Sequence, residues 1–311
     1  MSGILWMDPV FKEMIWGGSK LKEVYGYNIP SDKTGECWAL SAHKNGDCVI
    51  SEGEFVGKKL SELWNDHREL FGNLEGDQFP LLVKIIDANN DLSVQVHPDD
   101  EYAKEHENSL GKEECWYVLG ADEGTKMVMG HHAKTKEELV EAIENDNYDS
   151  LLNAFPVKEG DFFTIPTGTI HAICSGSLIY EAQQSSDITY RVYDYHRVDD
   201  KGNERELHVR QSIDVTNVPY VSTAGDDLKA ESIENGTKTH MTTTKYFQVD
   251  KYDLTGVTTV KNDMPFMMVS VVSGEGTLEG KAVKAGSHCI VCADKKEFVL
   301  DGTMTVMVCT I

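Results

Sequence analysis

The stretch "DFFTIPTGTIHAI", Asp161 to Ile173, decides how this chain folds. Aromatic and β-branched residues run to Ile165, "PTGT" interrupts them, and a second apolar run opens at His171. Proline fixes its backbone φ and glycine reaches conformations closed to other residues, so Pro166 and Gly168 mark a tight turn. The turn delivers an imidazole at the head of a new strand. A second strand repeats the theme. In "DLSVQVHPDD", Asp91 to Asp100, alternation puts Leu92, Val94 and Val96 on one face and Ser93, Gln95 and His97 on the other. Residues two apart in a strand are spaced by roughly 7 Å, which suits either a half-exposed polar face or groups aimed at one bound ion.

Outward from these two strands, "FPLLVKIIDA", "CWYVLG", "SLIYEAQQ", "DITYRVYDY", "FMMVSVVSG", "SHCIVCA" and "TMTVMVCTI" read as further strands separated by Gly, Asp and Asn. The fold class is therefore mainly β, an antiparallel sandwich or barrel. Helical spacing is rarer. Leu63, Leu70 and Phe71 share a face, as do Leu139, Ile143, Leu151 and Leu152, and "DDEYAKEHENSL" opens with acids as a helix leaving the Gln-x-His strand. Helical insertions are expected at about residues 98–112 and 131–156. The polar run 222–244 lacks a core pattern and reads as a linker, dividing the chain into units 1–221 and 245–311. A weak internal repeat joins them: "VKEGDFFTIPTGTIHAI" resembles "VKAGSHCIVCADKKEFV", and "YVLGADEGT" resembles "SVVSGEGTL". The Cys-x-x-Cys of Cys289 and Cys292 has no partner pair for a zinc knuckle, and His43 shows no second ligand at metal spacing.

The 311 residues carry a formal charge of -23. Such acidity repels polyanions, so neither nucleic acid nor an anionic membrane is an expected partner, whereas a small phosphorylated ligand fits if a few Lys and Arg converge. No apolar run approaches the roughly 20 residues of a membrane span. The start "MSGILWMDPV" does not read as a secretory signal and seven cysteines suit reduced thiols, so the expected location is cytoplasmic.

Pro166-x-Gly168-x-x-His171 has the spacing of the second motif of cupins, small jelly-roll barrels whose metal ligands project inward, and Gln95-x-His97 stands where the first motif usually reads His-x-His. Together with "IWGG", "FPLLVKIIDA", "GKEECWYVLGA", "IPTGTIHAI" and "YEAQQSSDITYRVYDY", the chain closely resembles the type I mannose-6-phosphate isomerases of the short bacterial form. That resemblance implies two cupin-type jelly-roll barrels, with the helical insertions and one Zn2+ per chain in the first. It implies Gln95, His97, Glu114 and His171 as ligands. Relatives often read Lys-Pro-Glu where this chain reads Lys112-Glu113-Glu114; spacing favours Glu114, with Glu113 as the alternative. Two imidazoles, a carboxylate and an amide oxygen suit Zn2+ and leave room for a substrate oxygen. At the offsets of the repeat Glu114 falls on Met268 and His171 on Glu297, so the second barrel is expected to lack a metal.

The resemblance also implies interconversion of mannose 6-phosphate and fructose 6-phosphate, a proton transfer between C1 and C2 through an enediol. Arg191, Lys112, Glu181 and Asp187 are the catalytic candidates, and Trp16, Ser93, Lys112 and Arg191 the substrate-binding ones. The chain is expected to work as a monomer or homodimer. Two rival readings are a different metal-dependent cupin enzyme, such as an iron oxygenase, and a non-catalytic sugar-phosphate-binding cupin. Gln95 in place of a histidine argues against the first. The presence of all four ligands and of Arg191 argues against the second.

Overall fold

The computed structural model describes residues 3–199, 201–222 and 228–311. At its centre two strands, Leu81–Ala88 and Ser177–Gln184, pair antiparallel with every residue buried. Both of their faces are covered, which is why "FPLLVKIIDA" is continuously apolar instead of alternating. They belong to a seven-stranded sheet completed by Phe162–Ile165, Glu114–Ala121, Thr34–His43, Val10–Gly18 and the short Gly46–Asp47.

One face of this sheet packs on a five-stranded sheet of Leu152–Pro156, Lys126–His131, His171–Ile173, Val94–Val96 and Tyr190–Tyr193. Between them Trp16, Ile86, Trp116 and Ile179 meet Met127, Met129 and Ile173 in one apolar cluster. On the other face Val83, Ile85, Cys115 and Tyr180 meet Phe266, Met268, Ile290 and Met307 of a ten-stranded sheet. Each such side chain removed from water contributes about 2 kcal/mol, so the alternation of Val83, Ile85 against Lys84, Ile86 fixes which face looks where. The ten-stranded sheet gathers a core of its own from Tyr252, Val269, Val271, Val291, Phe298, Val306 and Val308.

Helices cover the outer face of the five-stranded sheet. Asp100–Glu107 leaves the Val94–Val96 strand as expected, and the Asp99 carboxylate caps it by accepting the Tyr102 N–H at 2.9 Å. Leu139 and Ile143 of Lys136–Glu144, with Leu151 of Tyr148–Leu151, pack on Val94, Val96 and Val128. This insertion is narrower than residues 131–156, because His131 ends one strand and Leu152–Pro156 is itself an edge strand.

The expected linker is largely sheet. Ala230–Ile233 and Gly236–Thr243 form a hairpin that continues on to Gln248–Thr255, while residues 223–227 of the expected linker lie outside the described residues. In "GTKTHMTT" the β-branched threonines favour a strand, but only Thr239 and Met241 are buried, too sparse an inward face to show as a core pattern. The expected division of the chain is also crossed, since Ile4–Asp8 pairs with His288–Cys292. The mainly β class expected from sequence is what forms; each sheet ends in edge strands, and among the described residues none closes on itself as a barrel. Cys289 and Cys292 are free thiols in one strand, three positions apart and therefore on opposite faces in different cores, so they form no metal knuckle.

Candidate metal centre and substrate pocket

Strand pairing brings the polar candidates together from two sheets. In the five-stranded sheet His171 pairs with Gln95 and Gln95 with Arg191. In the seven-stranded sheet Glu181 pairs with both Lys84 and Trp116. Across the gap, His97 Nε2 lies 3.2 Å from His171 Nε2 and 3.6 Å from Glu114 Oε2, and His171 Nε2 lies 3.4 Å from Glu114 Oε1. All three side chains are buried, with their nearest ligand atoms within 4.8 Å of one another.

The donor set fits a metal ion. His171 Nδ1 lies 2.8 Å from the Thr169 carbonyl, a contact only its N–H can make, which leaves Nε2 as the acceptor facing the cluster. Glu114 Oε1 is buried with no hydrogen-bond donor, a costly state for a carboxylate unless a cation shares the cluster. Burial pushes the Glu114 carboxyl up to about 7 against the pull of Lys112, and pushes His171 down to about 3 and His97 below its usual range. Neutral imidazoles beside a carboxylate in need of a cation are what a divalent ion binds. Glu113 points elsewhere: its side chain bonds Thr244, and its backbone N–H donates to Gln184 Oε1 at 2.9 Å.

Two buried lysines surround the cluster. Lys112 Nζ stands 2.8 Å from Glu114 Oε2 and 3.1 Å from His97 Nε2. Lys84, which sequence reasoning missed, pairs with Glu181 Oε1 at 3.0 Å and reaches Glu36 Oε2 at 3.9 Å. The available signal was a lysine inside the largely apolar "FPLLVKIIDA". The Trp116 indole N–H donates to Glu181 Oε2 at 2.8 Å. Burial opposes the Glu181 charge, but Lys84 and Lys112 outweigh it and hold the carboxyl down to about 2.

A cavity of about 340 Å³ opens beside these groups. Gln95, Lys112, Glu181, Trp16, Ser93, Asp187 and Arg191 all line it, and His97, Glu114 and His171 join it through Lys112. Arg191 donates from one terminal nitrogen to the Glu206 carbonyl at 2.7 Å, while its Nε is buried without a partner. Asp187 sits exposed at the rim. Arg205, Asn45 and Lys12 also line the cavity, and nothing in their sequence surroundings marks them: Asn45 and Arg205 lie outside the strands, and Lys12 sits in the edge strand Val10–Gly18, whose outer half is only partly buried.

The family model for Phosphomannose isomerase type I, catalytic domain, matches residues 4–124, and that for Mannose-6-phosphate isomerase, cupin domain, matches residues 236–311. Mannose-6-phosphate isomerase ManA of Bacillus subtilis (strain 168) is 50% identical over 303 residues, 96% of each chain. The chain belongs to the type I mannose-6-phosphate isomerases. A mannose-6-phosphate isomerase of Streptococcus mutans is 46% identical to this isomerase over 312 residues, 99% of this chain and 98% of the relative. Among solved structures, a mannose 6-phosphate isomerase from Bacillus subtilis matches it with a TM-score of 0.96 at 44% identity, covering 99% of both chains. A phosphomannose isomerase variant from Salmonella typhimurium shares the fold, with a TM-score of 0.80 at 14% identity. Among the described residues no helix of this isomerase is long and apolar enough to cross a membrane.

Proposed function

We propose that this isomerase interconverts mannose 6-phosphate and fructose 6-phosphate with one Zn2+ held by Gln95, His97, Glu114 and His171. The observation that carries the reading is the buried His97, Glu114 and His171 cluster opening through Lys112 on to a cavity lined by Glu181, Arg191 and Asp187. When bound, zinc supplies a Lewis acid for the sugar carbonyl or its neighbouring hydroxyls. The chain's own residues do the rest. Lys112 offers a cation to the oxygens that gain negative charge as the enediol forms. Lys84, ion-paired with Glu181, fixes a charged wall opposite the sugar. Asp187 takes the proton from one carbon and returns it to the next. Arg191, which lines the cavity, offers its guanidinium to the sugar phosphate, and Trp16 and Ser93 shape the pocket around it.

The layered sheets are read as two opened jelly rolls of the cupin type. Residues 1–221 carry the groups that bind metal and substrate, and residues 245–311, joined by the Ile4–Asp8 strand, support them without an ion. The enzyme acts in the cytoplasm as a monomer or homodimer, with neither nucleic acid nor membrane as partner. The test is turnover of mannose 6-phosphate by purified, metal-loaded protein, compared with mannose 1-phosphate and free mannose. Conversion of the 6-phosphate to fructose 6-phosphate in preference to the others supports the reading. Tight binding of the sugar phosphate without turnover overturns it in favour of a sugar-phosphate-binding protein.

A further inference from the structure

The strand Thr34–His43 turns back through Lys44 and Asn45 into Gly46–Asp47, with His43 paired to Gly46. This tight turn is pinned to the pocket wall. A Cβ at Gly46 would overlap the Trp38 ring, so only glycine lets the hairpin lie so close, and Lys12 Nζ donates to the Asn45 carbonyl.

Both ends of the turn reach one carboxylate far along the chain. The Asn45 side-chain amide donates to Asp187 Oδ2 at 2.5 Å, and His43 Nε2 lies 3.5 Å from Asp187 Oδ1. The Asn45 backbone N–H donates to His43 Nδ1 at 3.3 Å, so Nδ1 is the acceptor and the ring proton sits on Nε2, facing Asp187. Burial, with Lys44, Lys84 and Lys12 nearby, holds His43 below the usual histidine range although Asp187 opposes the shift. The ring is therefore a neutral donor. It is only 6% exposed and rests edge-on against Trp38 at 5.6 Å, whereas Asp187 is 36% exposed and lines the cavity.

We propose that His43 and Asn45 are positioning residues that hold the Asp187 carboxylate in one orientation for proton transfer. The inference rests on the isomerase reading above and on Asp187 as its acid/base group. A carboxylate on an exposed loop otherwise samples several rotamers, and a misplacement of about 1 Å costs on the order of 10²-fold in rate. A hydrogen bond to Oδ2 and an imidazole N–H facing Oδ1 at 3.5 Å restrict that freedom.

Metal-loaded His43→Leu is expected to lower kcat for mannose 6-phosphate about 10- to 100-fold with KM changed less than about twofold. His43→Gln, whose amide N–H extends to the place of Nε2, recovers most of the loss. In an Asp187→Asn background His43→Leu lowers kcat no further, because the group it orients is already gone. Equal losses in both backgrounds, or unchanged kcat in a folded His43→Leu protein, overturn the proposal. Nitrogen NMR of histidine-labelled, zinc-loaded protein reads the contact without turnover: His43 is expected to carry its proton on Nε2, with a shift that moves in Asp187→Asn. A proton on Nδ1, or a shift indifferent to Asp187→Asn, also overturns it. A wild-type protein with no turnover overturns the isomerase reading and the catalytic purpose with it, while the NMR result alone decides whether the hairpin holds Asp187.

Discussion

Two sets of strands in this isomerase fill their buried positions in opposite ways. Leu81–Ala88, Glu114–Ala121 and Ser177–Gln184 bury Lys84, Glu114 and Glu181. Phe266–Leu278, His288–Cys292 and Glu297–Thr310 turn Val269, Val271, Val291, Val306 and Val308 into an apolar core. Where the repeat aligns the ligands, the second set has Met268, fully buried among apolar neighbours, and Glu297, exposed and paired in register with Lys261. Its buried His288 is tied off by the Ser270 hydroxyl at 2.9 Å and the Tyr27 hydroxyl at 2.7 Å, which occupies both ring nitrogens. Taking charges out of water costs several kcal/mol each, and even a buried pair such as Lys84 and Glu181 often repays less than apolar packing would. On the proposed function, the first set of strands gives up stability for chemistry and the second supplies stability alone.

The sharpest way to break this contrast is Lys84→Met. It leaves Glu181 buried without its ion-pair partner and is expected to destabilise the fold by about 3–5 kcal/mol in urea unfolding, with much of that recovered by adding Glu181→Gln. The same pair sets an acid-side dependence. Glu181 titrates at about 2 in the folded chain against an ordinary 4.5, so its contribution is full above about 4.5 and is lost as pH falls toward about 2. The double variant is expected to unfold with a weaker pH dependence across that window.

His171→Ala comes next, with zinc affinity and turnover both expected to fall more than about 100-fold while the far-ultraviolet circular dichroism spectrum is retained. Its counterpart Met268→Leu is expected to leave turnover unchanged and to cost less than about 1.5 kcal/mol. Loss of zinc from Met268→Leu would contradict the division of labour between the two sets of strands.

Metal removal offers a third comparison. The Glu114 carboxyl, raised to about 7 from an ordinary 4.5, takes up a proton on folding between those values, so without metal stability falls as pH rises through that window. If Glu114 is a ligand as proposed, zinc needs its carboxylate and displaces that proton, so the rise in Tm on adding zinc is expected to be larger at about pH 7.5 than at about pH 5.5. A zinc-induced rise independent of pH would argue that Glu114 is not a ligand. The smallest effect is expected from Ile290→Val in the apolar sheet, about 0.5–1.5 kcal/mol in stability with kcat unchanged.

How far the site can be read from sequence depends on whether periodicity governs the residue. A two-residue period forces Gln95 and His97 on to one face, and the Pro166 and Gly168 turn aims His171 back at them. The same alternation, with Trp116 inward, separates Glu114 from Glu113. Lys84 escapes such reasoning because a lone lysine in an apolar run gains meaning only beside Glu181 on the neighbouring strand. His43 and Asn45 escape it for a related reason: their contact with Asp187 joins a turn to a distant loop, and no repeat relates the two. The hairpin of Ala230–Ile233 and Gly236–Thr243 was hidden by its polar faces, since an edge hairpin buries too little to look like a strand. The layering of three sheets was not legible either, because strand patterns set faces but not partners.

The most direct test of the central claim is the rate of fructose 6-phosphate formation from mannose 6-phosphate by one preparation, measured as isolated, after complete chelation, and after adding back zinc. Activity that vanishes with the metal and returns as zinc approaches one ion per chain is the predicted result. Undiminished activity in fully metal-free protein would contradict it.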